Sequence, residues 1–128
     1  MADTSVEVVQ QFFECYLEQD LTTAQRLAAD DLTFTSPQDD HINRATYFDK
    51  CFPTASRVRW QELKRIVAAT DEDVFVMYEY ELLSGDVHRN AELITVRDGR
   101  VTKVQVFFGG AVHPGGAGQS SATSTPAV

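Results

Sequence analysis

Val87-His88-Arg89-Asn90-Ala91-Glu92-Leu93-Ile94-Thr95-Val96-Arg97-Asp98-Gly99-Arg100-Val101-Thr102-Lys103-Val104-Gln105-Val106-Phe107-Phe108 is the stretch whose reading decides the fold. β-Branched and aromatic residues fill both halves, and Asp98-Gly99 between them is hairpin-turn chemistry. Side chains alternate between the faces of a strand, so His88, Asn90, Glu92, Ile94 and Val96 share one face. That row starts polar and ends apolar, as the lining of a pocket with an apolar floor and a polar wall would. Two registers are open. A two-residue Asp98-Gly99 loop sets Glu92 against Gln105, and a three-residue loop with Gly99 left-handed sets Glu92 against Val104. The three-residue loop is preferred, because it joins Val104, Val106 and Phe108 to Ile94 and Val96 on one apolar face.

Upstream of the hairpin, Val74 to Leu83 alternates with Val74, Val76, Tyr78, Tyr80 and Leu82 on one side. Val58 to Ala69 reads as a longer strand, with Trp60 on one face and Leu63 and Val67 on the other, although its middle, Glu62 to Val67, also fits a helix. The N-terminal third is helical. Thr4 and Glu7 have capping-box spacing, and Val6, Val9, Phe12, Phe13, Tyr16 and Leu17 draw an apolar stripe from Ser5 to Gln19. Asp20 is a natural N-cap for a second helix through Ala29, with Leu21, Ala24, Leu27 and Ala28 inward. Leu32 to Ser36 is a short strand stopped by Pro37, and Gln38 to Ile42 is a polar loop. Asn43 caps a third helix, Arg44 to Phe52, which Pro53 ends. After Phe108 the composition turns to Gly, Ala, Ser, Thr and Pro, which cannot bury enough apolar surface to offset ordering. The expected organisation is a domain over residues 1–108 and a flexible tail over 109–128, in which His113 is a solvated side chain.

The chain has 128 residues, 43% hydrophobic and 23% charged, with a net charge of −8. This is one domain with a self-sufficient core. The acidity argues against nucleic acid and against anionic membrane surfaces, and the basic cluster Arg57, Arg59, Lys64 and Arg65 reads as the solvated side of a strand. No apolar run approaches a membrane span and no secretory signal precedes the first helix, so a cytoplasmic protein is expected. Cys15 and Cys51 lack metal-ligand spacing and read as buried thiols in a reducing compartment.

Helix, helix, strand, helix and then antiparallel strands make an α+β pattern whose sheet curls over the helices. The stretches Asp20-Leu21, Ala29-Asp30-Asp31-Leu32-Thr33-Phe34-Thr35-Ser36-Pro37, Arg89-Asn90-Ala91-Glu92, Asp98-Gly99-Arg100-Val101 and Val106-Phe107-Phe108 resemble the nuclear transport factor two superfamily, in particular its SnoaL-like polyketide cyclase and ketosteroid isomerase branches. The resemblance covers about Val6 to Gly110. It implies a cone-shaped, cystatin-like fold with three N-terminal helices packed on a curved antiparallel sheet. It also implies a cavity for a small, largely apolar molecule carrying a carbonyl or hydroxyl, a homodimer formed through the outer face of the sheet, and no cofactor. Two functions are compatible with it: an isomerase, cyclase or dehydratase working by acid–base chemistry, or a non-catalytic binding or dimerisation module.

Residue by residue, the resemblance places the isomerase base at Ser36, the oxyanion-donating tyrosine at Phe12 and the second, carboxylic donor at Glu92. The aspartate that the limonene epoxide hydrolase branch requires aligns with Val106. Only Glu92 keeps its chemistry. A carboxyl group in an apolar cavity is pushed toward its neutral form, which donates a hydrogen bond. Glu92 is therefore the expected acid. His88 and Asp40 are the possible bases, with the neighbouring Asp39 and His41 as a polar loop rather than a metal site. Strand rise puts His88 and Glu92 about 13 Å apart, so Asn90 between them is expected to orient substrate. Ser36, Tyr16, Trp60, Tyr78, Tyr80, Val104, Val106 and Phe108 are the expected substrate-binding walls.

Overall fold

The computed structural model describes residues 4–112. Its elements run α1 (Ser5–Glu18), α2 (Leu21–Leu27), β1 (Ala28–Ser36), β2 (Asp39–Asn43), α3 (Arg44–Thr46), a π-helical turn (Tyr47–Cys51), a 3₁₀ segment (Phe52–Arg57), β3 (Val58–Ala68), β4 (Asp73–Leu82), β5 (Val87–Arg97) and β6 (Arg100–Ala111). One sheet holds all six strands in the order β2-β1-β6-β5-β4-β3, antiparallel throughout except where β1 runs parallel to β6. Helices laid against this mixed sheet give the α+β arrangement.

The capping box at the start of α1 forms: Glu7 N–H donates to Thr4 Oγ1 at 3.2 Å and Thr4 N–H to Glu7 Oε1 at 2.9 Å. Gln19 adopts a left-handed conformation and ends α1, and its side-chain amide ties Phe52 O to the helix end at 2.8 Å. Asp20 caps α2 on Thr23 N–H. The buried face of α1 is Val8, Val9, Phe12, Phe13 and Cys15, while Leu17 and Leu21 point outward, contrary to the expected stripe. The α1–α2 corner turns those two leucines away from the sheet. In the core, Val9, Ala24, Val74, Ile94 and Val101 are fully buried.

Several boundaries move. Strand pairing claims Ala28 and Ala29 for β1, because Ala28 lies against Val101 of β6. The expected loop after Pro37 is strand β2, which pairs Asn43 with Thr33 and Ile42 with Phe34. A polar sequence suffices for an edge strand, where half the side chains face solvent. The third helix is broken into three kinds of turn, and Pro53 sits in the first turn of the 3₁₀ segment instead of ending a helix. A proline lacks only a donor that a first turn does not use.

The hairpin corrects the expected register. Arg97 pairs with Arg100 around a two-residue loop in which Asp98 (φ 52°) and Gly99 (φ 75°) are both left-handed, a type I′ turn. A bulge then inserts Thr102, so that Ile94 faces Val104, Glu92 faces Val106 and Asn90 faces Phe108. The turn is the shorter one, and the bulge restores the phase that groups Val104, Val106 and Phe108 with Ile94.

Strand β6 also runs beyond Phe108. Gly109 to Ala111 stay in the sheet, and Val112 N–H donates to Val87 O at 2.7 Å. Gly109 is required there, since a Cβ would run into the carbonyl oxygen of Arg89. The sheet therefore continues past residue 108, where the expected tail begins; His113 and the rest of that tail lie outside the described residues. No helix among the described residues is long and apolar enough to cross a membrane.

Candidate functional site

Between the helices and the inner face of the sheet lies a cavity with about 40 Å³ open to the centres of water molecules. Phe12, Phe13 and Tyr16 of α1 form one wall, Tyr47 and Cys51 of the π-helical turn another, and Phe34, Gln61, Tyr78, Glu92 and Val104 the sheet side. One water needs about 10–15 Å³ by such a measure, so the space holds a few waters or a small organic group. Aromatic rings occupy much of the volume that the fold encloses. Phe13 stands edge-on to Tyr78 with ring centres 5.3 Å apart, and Phe34 and Tyr47 lie 5.1 Å apart.

Glu92 is the carboxylate in this wall. It is 8% exposed, and its Oε2 accepts the Tyr78 hydroxyl at 2.6 Å. Burial raises its pKa to about 7, and the Tyr78 hydrogen bond pulls the other way without undoing that. The same burial, followed by the charge of Glu92, holds the Tyr78 phenol well above its ordinary range. Tyr16 is pushed up to about 12, chiefly by burial. Its Oη lies 2.7 Å from Thr54 Oγ1, whose own hydrogen goes to Cys51 O at 2.7 Å. Tyr16 is thus the donor to Thr54 and keeps only lone pairs for the cavity. Burial also pushes the Cys51 thiol up to about 11, so it is no thiolate nucleophile at neutral pH.

Along the inner face, cross-strand pairing sets Asn90 opposite Tyr78 and His88 opposite Tyr80. Asn90 Nδ2 reaches both tyrosine hydroxyls at 3.4 Å, and Asn90 Oδ1 accepts Gly109 N–H at 3.3 Å. A buried polar ladder therefore runs from Glu92 through Tyr78 and Asn90 to Tyr80.

Of the expected site residues, Glu92, Tyr78, Tyr16 and Val104 meet at the cavity. Others do not. His88 is 1% exposed and stacks on Tyr80 with ring centres 5.5 Å apart, beyond the far end of the ladder from Glu92. Burial lowers its pKa, so it is a neutral ring in the core and not a base at the cavity. Asp40 sits on edge strand β2, 90% exposed and paired with His41 Nδ1 at 2.6 Å. An edge strand carries it to solvent, away from Glu92. Ser36 Oγ accepts the N–H groups of Gln38 and Asp39, which makes it a turn cap. Trp60 faces outward and donates its indole N–H to Glu81 at 2.7 Å. Tyr80, Asn90 and Val106 are buried on the inner face behind the cavity, and Phe108 is half-buried beside Asn90. Among the described residues no cluster of three or more His, Cys, Asp or Glu side chains is arranged to hold a metal ion.

Phe13, Phe34, Tyr47, Cys51 and Gln61 also line the cavity and are not among the expected site residues. Phe13 was visible, one helical turn before Tyr16 on the apolar stripe. Tyr47 and Cys51 were not, because their inward placement depends on the π-helical turn that replaces a regular third helix.

No family model and no curated protein matches the chain. Solved structures do. A candidate ketosteroid isomerase from Kribbella flavida is 19% identical, over 98% of this chain and 94% of that one, with a TM-score of 0.69. An NTF2-like protein of unknown function from Cytophaga hutchinsonii is 16% identical over 84% and 92%, with a TM-score of 0.68. An epoxide hydrolase of the LEH-like type from M. tuberculosis is 18% identical over 81% of each chain, with a TM-score of 0.66. The chain has helices followed by a curved, mixed, six-stranded sheet, superposes on these structures along most of their length, and has the nuclear transport factor two-like fold.

Proposed function

We propose that this protein binds a small, largely apolar carbonyl compound and moves a proton on it without a cofactor, with Glu92 as the acid–base group. The observation that carries the reading is the position of that carboxyl: inside a ring-lined cavity, with a pKa of about 7. A group poised there holds both protonation states near neutral pH, as a proton shuttle requires. The carboxylate takes a proton from the carbon beside the carbonyl. The resulting acid returns it further along the carbon chain, and a β,γ-unsaturated ketone becomes the conjugated isomer. The same shuttle serves a cyclisation or a dehydration. The cavity's size favours a single ring or a short chain over a steroid-sized substrate. Phe13 and Gln61 also border an outer groove with Gln10, Glu14, Leu17 and Leu63, so the substrate's path runs between α1 and β3. The unpaired thiols Cys15 and Cys51 support a cytosolic setting.

The test is isomerisation of 3-cyclohexenone, followed by the ultraviolet absorbance of its conjugated product. Wild type is expected to turn it over and Glu92→Gln to lose turnover while still binding the ketone. Equal rates in the two proteins would remove Glu92 from the chemistry. A second reading, a binding module without turnover, is favoured by Ser36 and Phe12 at the positions where the family resemblance puts a base and a tyrosine donor. It predicts ketone binding with no turnover in either protein.

A further inference from the structure

Asn90 lies too deep to orient a substrate, and its surroundings give it another task. Its amide has a defined direction, because Gly109 N–H can only donate and so must face Oδ1. Both hydrogens of Nδ2 are then left for the Tyr78 and Tyr80 hydroxyl oxygens. A phenol that accepts from Asn90 spends its single O–H elsewhere, and for Tyr78 that is Glu92 Oε2. The order of donation is therefore fixed from the backbone inward: Gly109, Asn90, Tyr78, Glu92. An oxygen already accepting the Tyr78 hydrogen is the poorer place for a proton, so the acidic proton of neutral Glu92 belongs on Oε1. Oε1 accepts no bond from the described residues.

We infer that Asn90 is a positioning residue for the acid–base group, setting the direction of the Tyr78 hydroxyl so that Glu92 carries its exchangeable proton on the oxygen left for the substrate. The inference rests on the function proposed above for Glu92 and deepens it. Without Asn90 the Tyr78 hydroxyl is free to turn and accept from a protonated Oε2, which draws the proton out of the cavity. The arrangement also gives Gly109 a purpose. It lets β6 approach Arg89 closely enough for its N–H to reach Asn90, an approach that a side chain would prevent. The titratable groups facing Glu92 are Tyr78 from β4, Tyr16 from α1, and Tyr47 and Cys51 from the π-helical turn. All are raised and neutral at neutral pH, so the direction of one hydroxyl is a large part of what Glu92 senses.

The experiment titrates Glu92 in the substrate-free protein by carbon NMR of labelled glutamate carboxyls, with Glu92→Gln identifying the resonance. Asn90→Leu is expected to raise the Glu92 pKa by about one pH unit, the scale of a hydrogen bond to a charged group. Gly109→Ala, which leaves the Asn90 side chain in place but displaces its anchor, is expected to raise it in the same direction and keeps the test alive if Asn90→Leu does not fold. In a Tyr78→Phe background the Asn90 change is expected to add nothing. A Glu92 pKa unmoved in a folded Asn90 or Gly109 variant, or an undiminished effect without the Tyr78 hydroxyl, overturns the assignment. Because no substrate is present, this result stands apart from whether 3-cyclohexenone is turned over.

Discussion

The Tyr78 hydroxyl and the Glu92 carboxylate meet at 2.6 Å across two neighbouring strands, both inside the protein. They are diagonal neighbours, since Glu92 pairs with Val76 and Tyr78 with Asn90. Burial and this hydrogen bond oppose each other on Glu92, and burial wins. Removing the donor lets burial act alone. Tyr78→Phe is therefore expected to lift the Glu92 pKa above its value of about 7, by about one pH unit, and to move the acidic limb of any activity profile up with it, since the carboxylate form starts the reaction. Carbon NMR titration of the variant checks this, and an unchanged or lower value contradicts it.

The raised pKa also sets a stability trend. Glu92 titrates at about 7 when folded against 4.5 in its ordinary state, so between those values the folded chain binds the extra proton. Its contribution is fully present below pH 4.5 and is lost as pH rises through 7, for a total of roughly 3 kcal/mol. His88 works the other way, because its pKa is lowered on folding and that favours the native state as pH rises. Comparing wild type with Glu92→Gln cancels the His88 part. Chemical denaturation at pH 5 and pH 8 should show the variant gaining on wild type by roughly 2–3 kcal/mol at the higher pH. A difference that is flat with pH would mean that Glu92 titrates normally.

How much of this was legible beforehand follows from which forces act locally. Alternation along β4 and β5 placed Tyr78, Tyr80, His88, Asn90 and Glu92 on one inner face, as the burial of all five shows. A pattern of period two says which face a residue takes, but not how far along that face a cavity extends. Hence His88 and Asn90 share a face with Glu92 although, of the three, Glu92 lines the cavity and the other two are buried beyond it. The helix that became a π-helical turn was decided by a contact distant in sequence, Tyr47 on Phe12, and the loop that became β2 by its pairing of Ile42 with Phe34 at the sheet edge. The hairpin register turned on a bulge at Thr102, a position whose residue type announces nothing.

The end of β6 gives a sharp deletion test. Composition alone puts the domain's edge at Phe108, whereas Gly109 N–H holds Asn90 and Val112 N–H pairs with Val87 O. A chain ending at Val112 is expected to keep the melting temperature of the full protein. A chain ending at Phe108 loses that strand end and leaves buried Asn90 Oδ1 without its donor, at about 1–3 kcal/mol. Thermal melts of the two truncations decide it, and equal melting temperatures would restore the edge to Phe108.

The outer face of the sheet carries the remaining proposal, a second copy of this chain. Phe75, Met77 and Phe107 are 47%, 37% and 52% exposed. Register makes them neighbours: Met77 pairs with Ala91 and Ala91 with Phe107, while Phe75 lies between Val67 and Leu93. Beside them Arg89 and Glu79 form an ion pair at 2.6 Å, so the rim offers both signs of charge to an identical face. An exposed apolar patch of this kind marks a contact surface, and burying it against an identical face has to offset the repulsion between two chains of net charge −8. Light scattering on the wild-type protein is expected to give twice the chain mass of 14.3 kDa. The double variant Met77→Glu, Phe107→Glu, which places four like charges in that interface, is expected to give the single-chain mass with the fold intact by circular dichroism. A wild type that stays at the single-chain mass at high concentration, or a variant that stays at twice it, excludes this face as the contact.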